Sequence, residues 1–230
     1  MRISLLTKVE ILLKLFVNIK TVKNELQNIL SGKSEVSNGT LIQAIALYLR
    51  TSVGTSTTAQ GNESDKREET KKLIEYINNY HIWNCDINFK LFISAGAEQR
   101  VFIKDSYKVL KLNDAIYYAS WLDYFNNLLL NNYFFPDTAY NLVGFYRSDD
   151  DILYALVEQN YIQATQATDL NQVKEFMQAN GFSNTKNNDY FHSELGIILE
   201  DLHDENVLTA NEILYFIDTV FYIKPKFFLD

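Results

Sequence analysis

The spacing of apolar residues divides the chain into three stretches of different texture. Near the N-terminus, Leu5, Val9, Leu12, Leu13, Phe16, Ile19 and Val22 fall on one face of a 3.6-residue period, which predicts an amphipathic helix. After a polar turn over residues 31–39, Thr40 is placed to cap a second helix carrying Leu41, Ile45, Leu47 and Leu49. Residues 52–64, rich in Ser, Thr and Gly, read as a linker. Ser64 then caps a predicted helix reaching Tyr80, with Glu68 and Lys72 as a supporting i,i+4 pair and Leu73, Ile77 and Tyr80 as its docking face.

From about residue 86 the period shortens to that of strands. Residues 89–93, 100–103 and 107–112 are β-branched and aromatic, and Lys104-Asp105-Ser106 makes the last turn between them. A helix capped by Asn113 and running to about Leu130 follows, then strands at 142–147 and 152–157 around the acidic turn 148–151. A helix over 169–179 ends at Gly181, a good residue for the left-handed position after a helix. Short apolar runs at 196–199 and 213–217 flank a polar segment and read as the two arms of one hairpin. The expected organisation is a helical extension over 1–85, a β-β-β-α-β-β unit over 86–162, and a small α+β unit over 163–230.

Composition narrows the function classes. The 230 residues are 47% hydrophobic, enough for a substantial core. A net charge of −8 and the absence of a basic cluster argue against direct nucleic-acid binding, which draws on cations meeting phosphates. The lone cysteine, Cys85, excludes an intrachain disulfide and a multi-cysteine metal site, and fits a reducing cytoplasm. Lys8, Glu10 and Lys14 interrupt the first apolar run, so neither a signal peptide nor a membrane span is expected.

The segment that carries chemistry is Leu199-Glu200-Asp201-Leu202-His203-Asp204-Glu205-Asn206, with Asp218 twelve positions beyond Asn206. Phosphoryl transfer from a nucleotide needs a carboxylate near the acceptor hydroxyl and oxygen ligands for magnesium. A hairpin bringing Asp201, Asn206 and Asp218 to one end of a sheet would supply them. Asp201-Leu202-His203 with Asn206 resembles the D-L-H-x-x-N loop of aminoglycoside and choline kinases. The wider run from Gly96 to Asp218 resembles the kinase-like domain of polyvalent proteins, the multi-domain products of phages and conjugative elements.

The resemblance implies a protein-kinase-like α+β fold with a five-stranded antiparallel N-lobe sheet, a truncated C-lobe and the N-terminal helices as an extension. It implies ATP and Mg2+ as cofactors and a protein or small-molecule hydroxyl as acceptor. Asp201 would then be the catalytic base or the carboxylate that orients the acceptor, and Asn206 and Asp218 would hold the metal. In Tyr107-Lys108-Val109-Leu110-Lys111, Lys111 would clamp the phosphates, while Gly96 and Ser94 lie in the hairpin that covers them. Glu158 and Gln159, in Val157-Glu158-Gln159-Asn160-Tyr161, stand at the adenine-binding hinge.

The sequence departs from the kinase pattern in several places. The glycine-rich loop keeps one glycine, Leu199 and Glu200 precede the catalytic aspartate, and Thr219-Val220-Phe221 follows Asp218. The helix after Lys111 shows no clear glutamate for its ammonium, leaving Asp123 as the substitute. No activation loop or large helical lobe follows Asp218, so the N-terminal helices are expected to pack where later helices usually would. The alternative to an active phosphotransferase is a pseudokinase-type binding module of a mobile genetic element.

Overall fold

The computed structural model describes residues 19–52, 63–84, 86–96 and 99–229. The apolar positions before Ile19, most of the expected linker and Cys85 lie outside these residues.

Five α-helices occur among the described residues: α1 (Ile19–Leu30), α2 (Thr40–Ser52), α3 (Glu63–Tyr80), α4 (Trp121–Phe134) and α5 (Leu170–Ala179). A five-stranded antiparallel sheet contains β1 (Phe92–Ala95), β2 (Gln99–Ile103), β3 (Lys108–Asn113), β4 (Asn141–Arg147) and β5 (Leu153–Asn160), in the order β1-β2-β3-β5-β4. A second sheet, ordered β11-β8-β7-β6, is built from β6 (Ser183–Lys186), β7 (Asp189–His192), β8 (Ile197–Glu200) and β11 (Val220–Ile223). Between β8 and β11 in the chain, β9 (Val207–Ala210) and β10 (Ile213–Phe216) form a separate hairpin. No helix among the described residues is long and apolar enough to cross a membrane.

Strand alternation sorts the five-stranded sheet into two faces. Leu110 and Leu112 of β3 join Phe102, Tyr154 and Leu156 in a small outer cluster. Ala155 and Val157 of β5 enter the main core on the other face, with residues of α1 to α5 and of β7, β8 and β11. Lys111 lies between Leu110 and Leu112 in β3 and pairs with Val157, so it takes the main-core side.

The helices depart from the sequence expectation in ways that physical contacts explain. The buried face of α2 is Ile42, Ile45, Ala46 and Leu49, while Leu47 is exposed. In α3, Tyr76 is buried with Leu73 and Ile77, and Tyr80 faces outward. The charged residues of α3 pair at i,i+3, Glu68 with Lys71 and Lys72 with Glu75, instead of Glu68 with Lys72. Asn113 does not cap α4. It ends β3 and accepts the Ala115 N–H. The cap is Ser120, whose hydroxyl accepts the Asp123 N–H at 2.9 Å, assisted from α3 by buried Glu69. Glu69 Oε2 accepts the N–H groups of Trp121 at 2.7 Å and Leu122 at 3.3 Å. A carboxylate there meets the positive end of the α4 dipole and docks α3 onto α4.

Residues 82–84 run along the outer edge of β4, where the Asn84 N–H donates to Phe145 O at 2.7 Å. Gly144 lets the two backbones approach. A Cβ there would stand 2.7 Å from Ile82 O. At the other end, α1 reaches the chain's last turn. Lys23 Nζ donates to the carbonyls of Lys226 and Leu229, and Gln27 Nε2 to Phe227 O. The Tyr133 hydroxyl of α4 donates to Glu25, and burial with this acidic partner pushes its pKa up to about 12.

Two outcomes follow for stability. Glu69→Ala strips the buried Trp121 N–H and the part-buried Leu122 N–H of their acceptor and should cost about 1–3 kcal/mol, read as a lower Tm. His192 is buried, and its Nδ1 accepts the Leu195 N–H. Burial lowers its pKa, outweighing nearby Glu194. The unfolded chain therefore takes up the proton first, and stability should fall as pH drops below about 6.5. Urea titrations of the wild type and of His192→Gln at several pH values should show a shallower acid slope in the variant.

Candidate functional site

Asp201 is the first residue after β8 and Asn206 the last before β9. They are brought together by the short turn between them, closed by Asn206 N–H to His203 O at 3.0 Å and Val207 N–H to His203 O at 2.9 Å. Asp201 has φ +67°, a left-handed conformation that aspartate adopts more readily than most residues. Its N–H donates to Asp189 Oδ1 at 3.1 Å, which holds the turn against β7.

Asp218 arrives by a different route from the one expected. The runs around Ile197 and Ile213 are not arms of one hairpin. β8 pairs with β7 and β11, whereas β10 pairs with β9, and the β9–β10 turn is made by Asn211 and Glu212, both at positive φ. Two consecutive positive-φ residues give the twist that a tight two-residue hairpin needs. At the open end of this hairpin, the Asn206 carbonyl accepts the N–H groups of Ile217 at 2.9 Å and Asp218 at 3.3 Å. Pairing of Val220 with Glu200 then fixes the next strand beside Asp201.

The five-stranded sheet supplies the opposite wall. Lys111 is almost fully buried, and its Nζ donates to Ile217 O at 2.8 Å with the Tyr140 ring 5.3 Å away. Burial lowers the Lys111 pKa, and nearby Asp218 draws it part of the way back. Gln99 Nε2 donates to Asp218 Oδ2 at 2.8 Å, a second tie between the walls. The result is a cavity of about 730 Å3 lined by Gly96, Gln99, Lys111, Gln159, Asp201, Asn206 and Asp218, among others.

Glu158 is not among the lining residues. It pairs with Leu110, on the sheet face opposite Lys111, and binds Lys104 and Lys108. Burial would raise its pKa, but the hydrogen bond and charge of Lys104 with the charge of Lys108 bring it below the usual value. One position on, Gln159 lies on the cavity face, and the lining continues through Asn160, Tyr161 and Ile162. The cavity wall on this strand thus begins at Gln159, one residue after Glu158. Gly96 N–H is spent on Gln99 O at 2.8 Å, so Gly96 contributes open space to the cavity and no donor. Asp123 does not reach Lys111. Burial raises its pKa, against the lowering effects of the Ser120 hydrogen bond and the charges of Arg50 and Lys66, which places it in a different neighbourhood.

Both oxygens of the Asp201 carboxylate are engaged. Asn206 Nδ2 donates to Oδ2 at 3.0 Å. His203 Nδ1 accepts the Glu205 N–H at 3.2 Å, and its Nε2 lies 3.3 Å from Asp201 Oδ1 and 3.1 Å from Asn206 Nδ2. Among the described residues no hydrogen bond reaches the second Asp218 oxygen or the Asn206 amide oxygen. No group of three or more His, Cys, Asp or Glu forms a metal cluster among the described residues. Magnesium does not need one, because it uses one or two carboxylates together with phosphates and water. The donor set therefore fits a magnesium–nucleotide pair.

Sequence reasoning gave no role to Gln99, Tyr140, Asp189 or the Ile217 carbonyl. Asp189 and Tyr140 carry no local pattern that separates them from turn and core residues, and a backbone carbonyl has no sequence signature. Glu200 also lines the cavity, and burial, with Asp189 and Asp201 close by, raises its pKa.

A family model for the serine/threonine/tyrosine kinase found in polyvalent proteins matches residues 66–225. The chain belongs to that family. No curated protein and no solved structure matches it significantly. The span matched to the polyvalent-protein kinase begins in α3, upstream of Gly96, and ends just beyond β11, so it contains the whole cavity wall. A kinase-like function in general terms follows from membership, and the mixed α+β architecture with its five-stranded antiparallel sheet is consistent with it.

The cavity geometry of this family member can be probed without ligand. Among the described residues, a Cβ at Gly96 would meet nothing nearer than Gln99 O at 4.0 Å. Gly96→Ala should therefore melt within about 0.5 kcal/mol of the wild type, checked by urea denaturation. Any larger effect of this substitution on nucleotide affinity then reports on the cavity.

Proposed function

We propose that this chain is an ATP- and magnesium-dependent phosphotransferase that moves the γ-phosphoryl group to a hydroxyl of a protein or small molecule. The observation that carries the reading is the convergence of Lys111, Asp201, Asn206 and Asp218 on one cavity from two opposed walls. Lys111 supplies the positive charge that phosphate oxygens require. Its burial leaves that charge poorly solvated and correspondingly strong toward an anion. Asn206 and Asp218 would hold Mg2+, which supplies charge neutralisation of the phosphates when bound. Asp201 orients the acceptor hydroxyl and receives its proton, and Asn206 and His203 hold its carboxylate in place. Gly96 keeps the covering hairpin open toward the nucleotide, and the segment from Gln159 to Ile162 forms the wall for the base. The five-stranded sheet serves as the N-lobe, and the β6–β11 region with α5 as a reduced C-lobe.

A second reading, a non-catalytic nucleotide-binding module, draws support from three features. Lys111 already holds a backbone carbonyl, Gly96 N–H is closed within its hairpin, and Asp218 is held by Gln99. The two readings separate on turnover. Mg-ATP at a hundredfold excess over its Kd should stabilise the wild type by about 2.7 kcal/mol, and Asp218→Ala and Lys111→Met should lose most of that shift. Asp201→Asn should keep the shift and lose phosphoryl transfer by roughly a hundredfold or more, measured with γ-labelled ATP. A wild type that shows no thermal shift counts against both readings. A shift with turnover indifferent to Asp201→Asn, or with no turnover at all, leaves only the binding module.

A further inference from the structure

We propose that Tyr140 is the positioning residue for Lys111, setting its ammonium with the aromatic ring, where kinases use a glutamate on the following helix. The inference rests on the phosphotransferase reading for its functional meaning, but its structural part stands by itself.

The helix that follows β3 is α4, and its one carboxylate, Asp123, lies beside Ser120, Arg50 and Lys66 instead of Lys111. What α4 offers is a run of buried amides. Asn132 grips the backbone of Tyr140 on both sides, Oδ1 accepting its N–H at 2.7 Å and Nδ2 donating to its carbonyl at 2.8 Å. The side chain so fixed puts its ring against Lys111 Nζ at 5.3 Å, and its hydroxyl donates to Ile217 O at 2.9 Å. That is the same carbonyl that accepts from Lys111 at 2.8 Å. Ring and carbonyl therefore bracket one ammonium, and the hydroxyl anchors that carbonyl. In a dry site the electron-rich face of an aromatic ring stabilises a cation.

The neighbouring amides extend the arrangement to the metal-side segment. Asn131 Oδ1 accepts the Thr219 hydroxyl at 2.8 Å, and Asn127 Oδ1 accepts the Phe221 N–H at 2.7 Å. One helix thus sets both Lys111, by way of Tyr140, and the residues immediately after Asp218. A glutamate at the lysine would add a second buried charge beside Asp218. The aromatic ring holds the cation without adding one, which leaves the full positive charge for phosphate.

The test compares wild type, Tyr140→Phe, Tyr140→Met, Lys111→Met and the Tyr140→Met/Lys111→Met double variant. The first readout needs no nucleotide. In protein carrying 13C at lysine Cε, the Lys111 signal, assigned by its loss in Lys111→Met, should be displaced by the ring current of Tyr140. It should stay displaced in Tyr140→Phe and move to the position of ordinary lysines in Tyr140→Met. A signal unmoved by Tyr140→Met overturns the proposal. The second readout is Mg-ATP affinity by calorimetry. Tyr140→Phe should stay within roughly threefold of wild type, and Tyr140→Met should weaken binding roughly tenfold. The double variant should bind no worse than Lys111→Met alone, because Tyr140 acts through Lys111. Additive losses, or a Tyr140→Met affinity equal to wild type, overturn the positioning role. Should Tyr140→Met fail to fold, Asn132→Ala loosens Tyr140 without removing the ring, and the Lys111 signal must still shift. If wild type binds no Mg-ATP while the lysine signal behaves as expected, the phosphotransferase reading fails and the Lys111–Tyr140 arrangement stands.

Discussion

The architecture turns on one carbonyl. Ile217 O accepts from Lys111 Nζ and from the Tyr140 hydroxyl, and it belongs to the short link between β10 and β11. A buried ammonium without an acceptor costs several kcal/mol, so Lys111 obliges the two walls to stay in register. The tie from Gln99 to Asp218 runs parallel to it. Between them the cavity is held open by polar contacts across its floor, while apolar packing does its work elsewhere. The main core is shared by α1 to α5, the inner face of the five-stranded sheet and the second sheet.

How the N-terminal helices serve this frame follows from where their polar groups go. Lys23 and Gln27 of α1 donate to the carbonyls of the last turn, and α3 caps α4 through Glu69. α4 is thereby fixed at its N-terminus by a carboxylate and along its length by the amides that reach Tyr140, Thr219 and Phe221. The helical part of the chain therefore acts on the cavity through α4, with no side chain of α1 or α2 lining it.

Much of this was legible in the sequence, and the reasons for the rest are physical. Runs of β-branched and aromatic residues marked the strands, most clearly β3 and β5, which are buried along almost their whole length. That the Asp201–Asn206 loop and Asp218 share one cavity was legible from their order and spacing in the chain. The pairing of the later strands was not legible. β8 and β10 are each four residues long, and which short apolar run pairs with which depends on tertiary contacts and on the positive-φ pair Asn211-Glu212, which carries no glycine to mark it. The placement of Glu158 failed by one residue of parity, since a shift of one turns a strand side chain to the other face. Asp123 misled because a helix residue's partners depend on rotation about an axis that sequence alone does not fix.

The left-handed backbone at Asp201 reaches beyond chemistry. Only aspartate, asparagine and glycine hold such a conformation at little cost, whereas alanine would strain it by about 1–2 kcal/mol. Divergence at this position is thereby channelled toward two neutral residues that keep the turn intact. A lineage could lose its carboxylate in a single step and retain a well-folded protein, and on the role proposed for Asp201 an Asp201→Asn change would part active from inactive members by one heavy atom.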